Sequence, residues 1–126
     1  MIQLSAAATR MKDMPVTMYH NPRCNTSRRT LALLREKGVE PNIIEYLKTP
    51  PSAGELKKIL GQLKMPASKL VRKKEATAAG IDPNALSEDA LITAMVANPI
   101  VIERPIVISG SKAALGRPPE AVLSVL

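Results

Sequence analysis

His20 and Cys24 are the only histidine and the only cysteine among the 126 residues, four positions apart in the stretch His20-Asn21-Pro22-Arg23-Cys24-Asn25-Thr26-Ser27-Arg28. A cysteine does chemistry as its thiolate, and cationic neighbours or helix N-terminal amides lower its pKa. Both are within reach here. The stretch follows a short apolar run, Pro15 to Tyr19, and precedes a helix-like run from Thr30 to Lys37. A strand-to-helix junction presents unpaired backbone N–H groups that favour negative charge. Thr26 and Ser27 can hydrogen-bond free amides or an anion, and Arg23, Arg28 and Arg29 add positive potential. These residues describe a nucleophilic cysteine in an oxyanion-binding loop. A lone cysteine is more often a small buried apolar residue, but the polar, basic neighbours here argue against that. His20 has two readings, tuning of the thiol or hydrogen-bonded support of the loop. One histidine and one cysteine do not make a zinc site, so no metal is expected.

The elements that must position this loop are readable in order. Val16 to Tyr19 is a short β-favouring run. A helix is expected from about Ser27 to Lys37, with Leu31 and Leu34 on one face and Gly38 just past its end. Asn42 to Leu47 reads as a second strand, and a strand-helix-strand unit this short makes the two strands parallel. After Pro50-Pro51, Ser52 and Glu55 match a capping box, followed by the stripe Leu56, Ile59, Leu60 and Leu63. Met65-Pro66 interrupts, and Ser68 is expected to cap a helix running through Lys74. Ala76 to Ala85 reads as a loop. Ser87, Glu88 and Asp89 open a further helix with Leu91, Ile92, Met95 and Val96 on its apolar side, ended by Asn98-Pro99.

Ile100 to Ser109 reads as a strand interrupted at Arg104-Pro105, where proline marks a start, an edge or a bend. Gly110-Ser111 turns the chain, Lys112 to Leu115 forms an antiparallel partner, and Gly116 to Glu120 leads into a last short helix. The order predicts an α/β domain with a mixed four-stranded sheet flanked by helices and a helical insertion. That pattern is consistent with a thioredoxin-like fold.

Composition sets the bounds. There is no Phe or Trp, and only Tyr19 and Tyr46 are aromatic, so the core is Leu, Ile, Val, Met and Ala. One cysteine excludes an intramolecular disulfide. No apolar run approaches a membrane span, and the first ten residues lack a signal-peptide apolar region. A soluble, reducing, cytoplasmic protein is expected. The net charge of +7 suits anionic substrates or acidic surfaces. Stacking aromatics are nearly absent, which argues against nucleic acid. Lys64, Lys69, Arg72, Lys73 and Lys74 form a basic run without an acid, which by itself is a solvated face. Residues 15–126 are expected to form one domain. Residues 1–14 lack periodicity and read as a flexible extension, with Met11 and Met14 as other possible starts.

His20-Asn21-Pro22-x-Cys24-x-Thr26-Ser27-Arg28 resembles the active-site loop of the ArsC-type arsenate reductase family, the glutathione/glutaredoxin-dependent kind on a thioredoxin-like fold. Three further segments resemble family motifs in the same order: Leu70-Val71-Arg72-Lys73, Asn98 to Val107 around Arg104-Pro105, and Leu115-Gly116-Arg117-Pro118-Pro119-Glu120. The resemblance spans about residues 16–126. It implies that Cys24 is the nucleophile and that His20 tunes it. It implies that Arg72, Arg104 and Arg117 hold the oxyanion, helped by the backbone amides of Asn25, Thr26 and Ser27, and that Arg104-Pro105 is a cis peptide. Arsenate is a tetrahedral dianion near neutral pH, and guanidinium forks match paired oxygens.

Position 27, where a C-x-x-C pair would hold its second thiol, is serine, so an external thiol must resolve any covalent intermediate. The family implies glutathione followed by glutaredoxin as reductant; no bound cofactor and a monomer are expected. Asn25 stands where family reductases more often carry glycine, and the chain lacks their long tail after the last motif. These traits resemble a short arsenate-reductase-like subgroup. Two other classes resemble the chain more broadly: the Spx group of RNA-polymerase-binding regulators, many of which use a C-x-x-C switch absent here, and thiol redox proteins linked to glutathione.

Overall fold

The structure is a computed structural model that describes residues 15–126. The extension expected over 1–14 lies outside the described residues. Strand β1 (Val16–His20) is followed by helix α1 (Asn25–Glu36) and strand β2 (Asn42–Glu45). Four helices come next: α2 (Ala53–Leu63), α3 (Ala67–Leu70), α4 (Lys73–Ala78) and α5 (Glu88–Ala97). A 3-10 turn at Pro99–Val101 leads to β3 (Ile106–Ser109) and β4 (Lys112–Leu115), and a 3-10 segment, Pro119–Val125, ends the fold. The sheet order is β2-β1-β3-β4. β1 and β2 are parallel, joined by the crossover that carries α1, while β1–β3 and β3–β4 are antiparallel. This is the mixed four-stranded, thioredoxin-like sheet expected from the sequence.

Strand alternation divides the core in two. Val16 and Met18 of β1 and Val107 of β3 face α1 and the C-terminal segment, where Leu34, Val122 and Val125 complete one cluster. Tyr19 and Ile106 point the opposite way, into a larger cluster with Tyr46, Leu56, Leu60, Leu91 and Met95. Successive side chains on a strand must take opposite faces. His20, two residues after Met18, therefore lies on the α1 side, and that places it near the cysteine loop.

Several expectations need correction. The helix expected from Ser68 through Lys74 is two short helices, because Val71 is extended and pairs with Ile102 in an isolated antiparallel bridge. Ser68 lies inside α3, whose N-cap residue is Pro66 without a side-chain cap. Part of the loop expected over Ala76 to Ala85 belongs to α4. The long strand from Ile100 enters the sheet only after Pro105, which has no N–H to give to a ladder. The last helix is of 3-10 type. The capping box of Ser52 and Glu55 is present with both reciprocal bonds.

Gly116 sits where β4 leaves the sheet, and its N–H donates to Pro105 O at 2.9 Å. A Cβ there would stand 2.7 Å from Pro105 Cγ and 2.8 Å from Thr30 Oγ1. Neither neighbour is free to yield, since Thr30 is fully buried and Pro105 is a ring. Gly116→Ala should therefore destabilise the fold by about 1–3 kcal/mol, the usual range for overpacking. Urea unfolding would measure it, and a variant as stable as the parent would refute the close approach.

Candidate active site

Cys24 is the N-cap residue of α1, with an extended backbone (φ −88°, ψ 122°). Its N–H donates to Asn21 O at 3.0 Å, and its carbonyl accepts from Arg28 N at 3.0 Å, closing the first helical turn. The first turn of α1 carries no acidic side chain. Its amide dipoles are therefore not offset by a local carboxylate. The buried face of α1 is Ser27, Thr30 and Leu34, a stripe at helical spacing that is polar beside the loop and apolar beneath the sheet.

Asn21 and His20 fix the loop from behind. The Ser27 hydroxyl oxygen accepts from the Asn21 backbone N–H at 3.1 Å and shares a hydrogen bond with His20 Nδ1 at 2.6 Å. Asn21 Oδ1 accepts from Arg23 N at 3.0 Å. His20, Asn21 and Ser27 are all buried. The imidazole thus holds Ser27, and its influence on the thiol passes through the position of the Ser27 amide. Burial lowers the His20 pKa from its ordinary value; Glu45 opposes that shift, while Arg28 and Arg35 reinforce it.

The arginines arrive from three distant segments. Arg117 lies just after β4; its Nε donates to Arg104 O at 2.8 Å and its Nη2 approaches Cys24 Sγ at 3.6 Å. Arg104 is buried, with Nη1 donating to Ile100 O at 3.4 Å. Its Nε has no hydrogen-bond partner among the described residues. The Arg104–Pro105 peptide is cis, as expected, and so is Arg117–Pro118. Arg72 is different. Its Nη1 donates to Glu103 Oε1 at 2.6 Å, and its Nε lies 3.3 Å from Glu75 Oε1, within ion-pair range but without hydrogen-bond alignment. The structure therefore brings Arg104 and Arg117 to the thiol, and brings Arg72 to a carboxylate one step behind them.

The Cys24 thiol is held below its ordinary pKa. Burial raises it, but the Ser27 amide, the Arg104 guanidinium and the Thr26 amide together outweigh burial. The sulfur does not form a strict capping hydrogen bond. The amide dipoles act on the ionised form by proximity.

Two side chains important to this geometry received no role from the sequence. Glu103 Oε1 also lies 2.9 Å from Arg117 Nε and accepts from Arg104 N at 3.3 Å, so one carboxylate contacts all three arginine segments. Its signal was available: a single carboxylate in an otherwise apolar run, directly before an arginine. Tyr46 is almost fully buried, and its hydroxyl faces Ile102 O at 3.5 Å. Burial raises its pKa, Arg104 and Arg72 act against that, and Cys24 adds to it. It stays a neutral phenol beneath the arginines. A cleft of about 670 Å³ lies elsewhere, between Ser68 and Asn84, and holds none of these groups. Chemistry, not size, marks the site. A smaller groove of about 190 Å³, lined by His20, Asn21, Pro22, Arg23 and Lys48 among others, runs beside the loop. Among the described residues no group of histidine, cysteine and carboxylates could hold a metal, and no helix is long and apolar enough to cross a membrane.

Two outcomes follow from these shifts. The rate of thiol alkylation against pH should show an inflection below the free value of about 8.5, and Arg104→Met should move it upward; an inflection unmoved by the substitution would remove Arg104 from the account. A buried, neutral His20 adds stability that is fully present above about pH 6.5 and is lost as pH falls toward its lowered folded pKa. Urea unfolding across that acid window should therefore be steeper in pH for the parent than for His20→Gln. Equal slopes would assign the effect to other groups.

With this geometry in hand, comparisons place the chain. The ArsC family model matches residues 19–125. The uncharacterized protein YfgD of Escherichia coli (strain K12) is 50% identical over 114 residues, covering 88% of this chain and 96% of that protein. An arsenate reductase of Rhizobium meliloti (strain 1021) is 42% identical over 115 residues, covering 90% of this chain and 82% of that protein. The solved structure of an arsenate reductase from Vibrio cholerae superposes with a TM-score of 0.81 at 44% identity, over 90% of this chain and 98% of that one. Matched across nearly all of its described length, with a thioredoxin-like fold and a single thiol set among arginines, this chain belongs to the ArsC family.

Proposed function

We propose that this chain reduces arsenate to arsenite through the Cys24 thiolate, with glutathione and glutaredoxin as the external reductant. The observation that carries the reading is the placement of Cys24 at the N-terminus of α1 with Arg117 Nη2 at 3.6 Å. In this reading Arg104 and Arg117 orient two oxygens of the anion, and the amides of Asn25, Thr26 and Ser27 complete the cradle. Arg72 supports Arg117 through Glu103. His20 and Ser27 hold the loop in shape, so His20 acts as a positioning residue. Hydrogen bonds between guanidinium and oxyanion are charge-assisted, and fixed donors stabilise charge without reorganising.

The thiolate attacks arsenic(V), forming an S–As bond, and one arsenate oxygen leaves as water after taking up protons. Reduction to arsenic(III) requires two electrons, which two external thiols supply as they become a disulfide. Water then hydrolyses the S–As(III) bond, supplying the third oxygen of arsenite and releasing Cys24 as its thiolate. This chain has one cysteine, so no internal thiol can replace the external pair. In the groove beside the loop Arg23 suits a carboxylate of glutathione, while Lys48 there is ion-paired with Glu45 at 3.5 Å.

A coupled assay with glutathione, glutaredoxin and glutathione reductase reads this reaction as arsenate-dependent NADPH oxidation. Turnover is expected for the parent and its loss for Cys24→Ser, with the variant's circular dichroism unchanged. A parent protein with no arsenate-dependent oxidation would remove arsenate as the substrate.

A further inference from the structure

The site already contains an anion of its own. Glu103 Oε1 is 2.6 Å from Arg72 Nη1 and 2.9 Å from Arg117 Nε, and the Arg104 N–H reaches it at 3.3 Å. Glu75 takes a further position on Arg72 at 3.3 Å. Arg117 is shared: one part of its guanidinium meets this carboxylate while Nη2 meets the Cys24 sulfur. The positive groups Arg72, Arg104 and Arg117 thus face Glu75, Glu103 and the thiolate. With the thiol ionised, this set of six is electrically neutral. A visiting oxyanion gains directed hydrogen bonds there but no net charge attraction from the set. Its charge is repelled by the Glu103 carboxylate, which shares the Arg117 guanidinium with the thiol site. Coulomb repulsion is proportional to that charge, so a doubly charged anion feels twice the penalty of a singly charged one.

We propose that Glu103 determines specificity, making this pocket select singly charged over doubly charged oxyanions. The inference rests on the reading of Cys24, Arg104 and Arg117 as an oxyanion site. Alongside its dianion, arsenate keeps a singly charged form near neutral pH, and this pocket draws on that form. A purely structural Glu103, needed only to hold Arg72 and Arg117 in place, would affect both kinds of anion alike.

Sulfate and methanesulfonate separate the two roles, since both present tetrahedral sulfur-bound oxygens and differ by one charge. Isothermal titration calorimetry near neutral pH would measure both against the parent, Glu103→Gln and Glu103→Asp. The parent should bind methanesulfonate at least as tightly as sulfate. Glu103→Gln should tighten sulfate by about tenfold and methanesulfonate by about threefold, the square root, because the repulsion relieved scales with ligand charge. Glu103→Asp keeps the charge and should keep the parent's ratio of the two affinities. Should Glu103→Gln not fold, as judged by circular dichroism, Glu103→Ala provides the neutral side chain for the same ratio. A parent that binds sulfate more tightly than methanesulfonate overturns the inference, and so does an unchanged ratio in the neutral variant. Absence of binding by either anion in every protein would defeat the oxyanion reading itself, and this inference with it.

Discussion

Arginines do not gather in a small volume unless something opposes their mutual repulsion. Here the opposing group is the Glu103 carboxylate, with Arg72 and Arg117 on it and the Arg104 amide beneath it. Taking away one member of such a partly buried cluster leaves the others uncompensated. The arrangement is set by backbone. Leu70 O accepts from Glu103 N and Val101 O accepts from Arg72 N, each at 2.7 Å, around the Val71–Ile102 bridge. That short bridge is what aligns a basic residue of the helical insertion with an acidic residue just ahead of β3.

The thiol's environment follows from sheet geometry in the same way. Parallel pairing of β1 with β2 sends the intervening chain over one face, and α1 starts where β1 ends. β1 alternation puts His20 on that face and Tyr19 on the other. The polar half of the α1 stripe then meets His20 and Asn21, while Leu34 reaches the apolar cluster below. Arg104 and Arg117 come in beside the loop because β3 and β4 lie next to β1 and the chain bends at Pro105 and Pro118.

Much of this was legible in the residues. Val16 to Tyr19, the Gly38 stop, the Ser52 capping box and the Ser87 cap are local signals, and each corresponds to an element boundary in the structure. The loop's polar composition singled out Cys24 as the candidate nucleophile. Failures came where non-local pairing decides. Ser68 to Lys74 has the composition of one helix, and only the partner strand at Ile102 pulls Val71 out of it. Arg72 looked like one more cation in a basic run, because the carboxylate that claims it is thirty-one positions away. Glu103 was hidden for the same reason: its charge is explained by residues that sequence order does not place near it. His20 had two readings, tuning of the thiol or support of the loop, and its hydrogen bond to Ser27 fits the second.

Ser27 is fully buried, and its hydroxyl oxygen serves both an imidazole and a backbone amide. In sequence, one codon separates this loop from a vicinal dithiol. In space the gap is wider. A sulfur at that position would be bulkier than the oxygen it replaced and a weaker hydrogen-bond partner for both His20 and Asn21. A second thiol here would replace the hydroxyl that ties the Cys24 loop to His20 and Asn21. The space for a second thiol beside Cys24 is thus held by one small, enclosed hydroxyl.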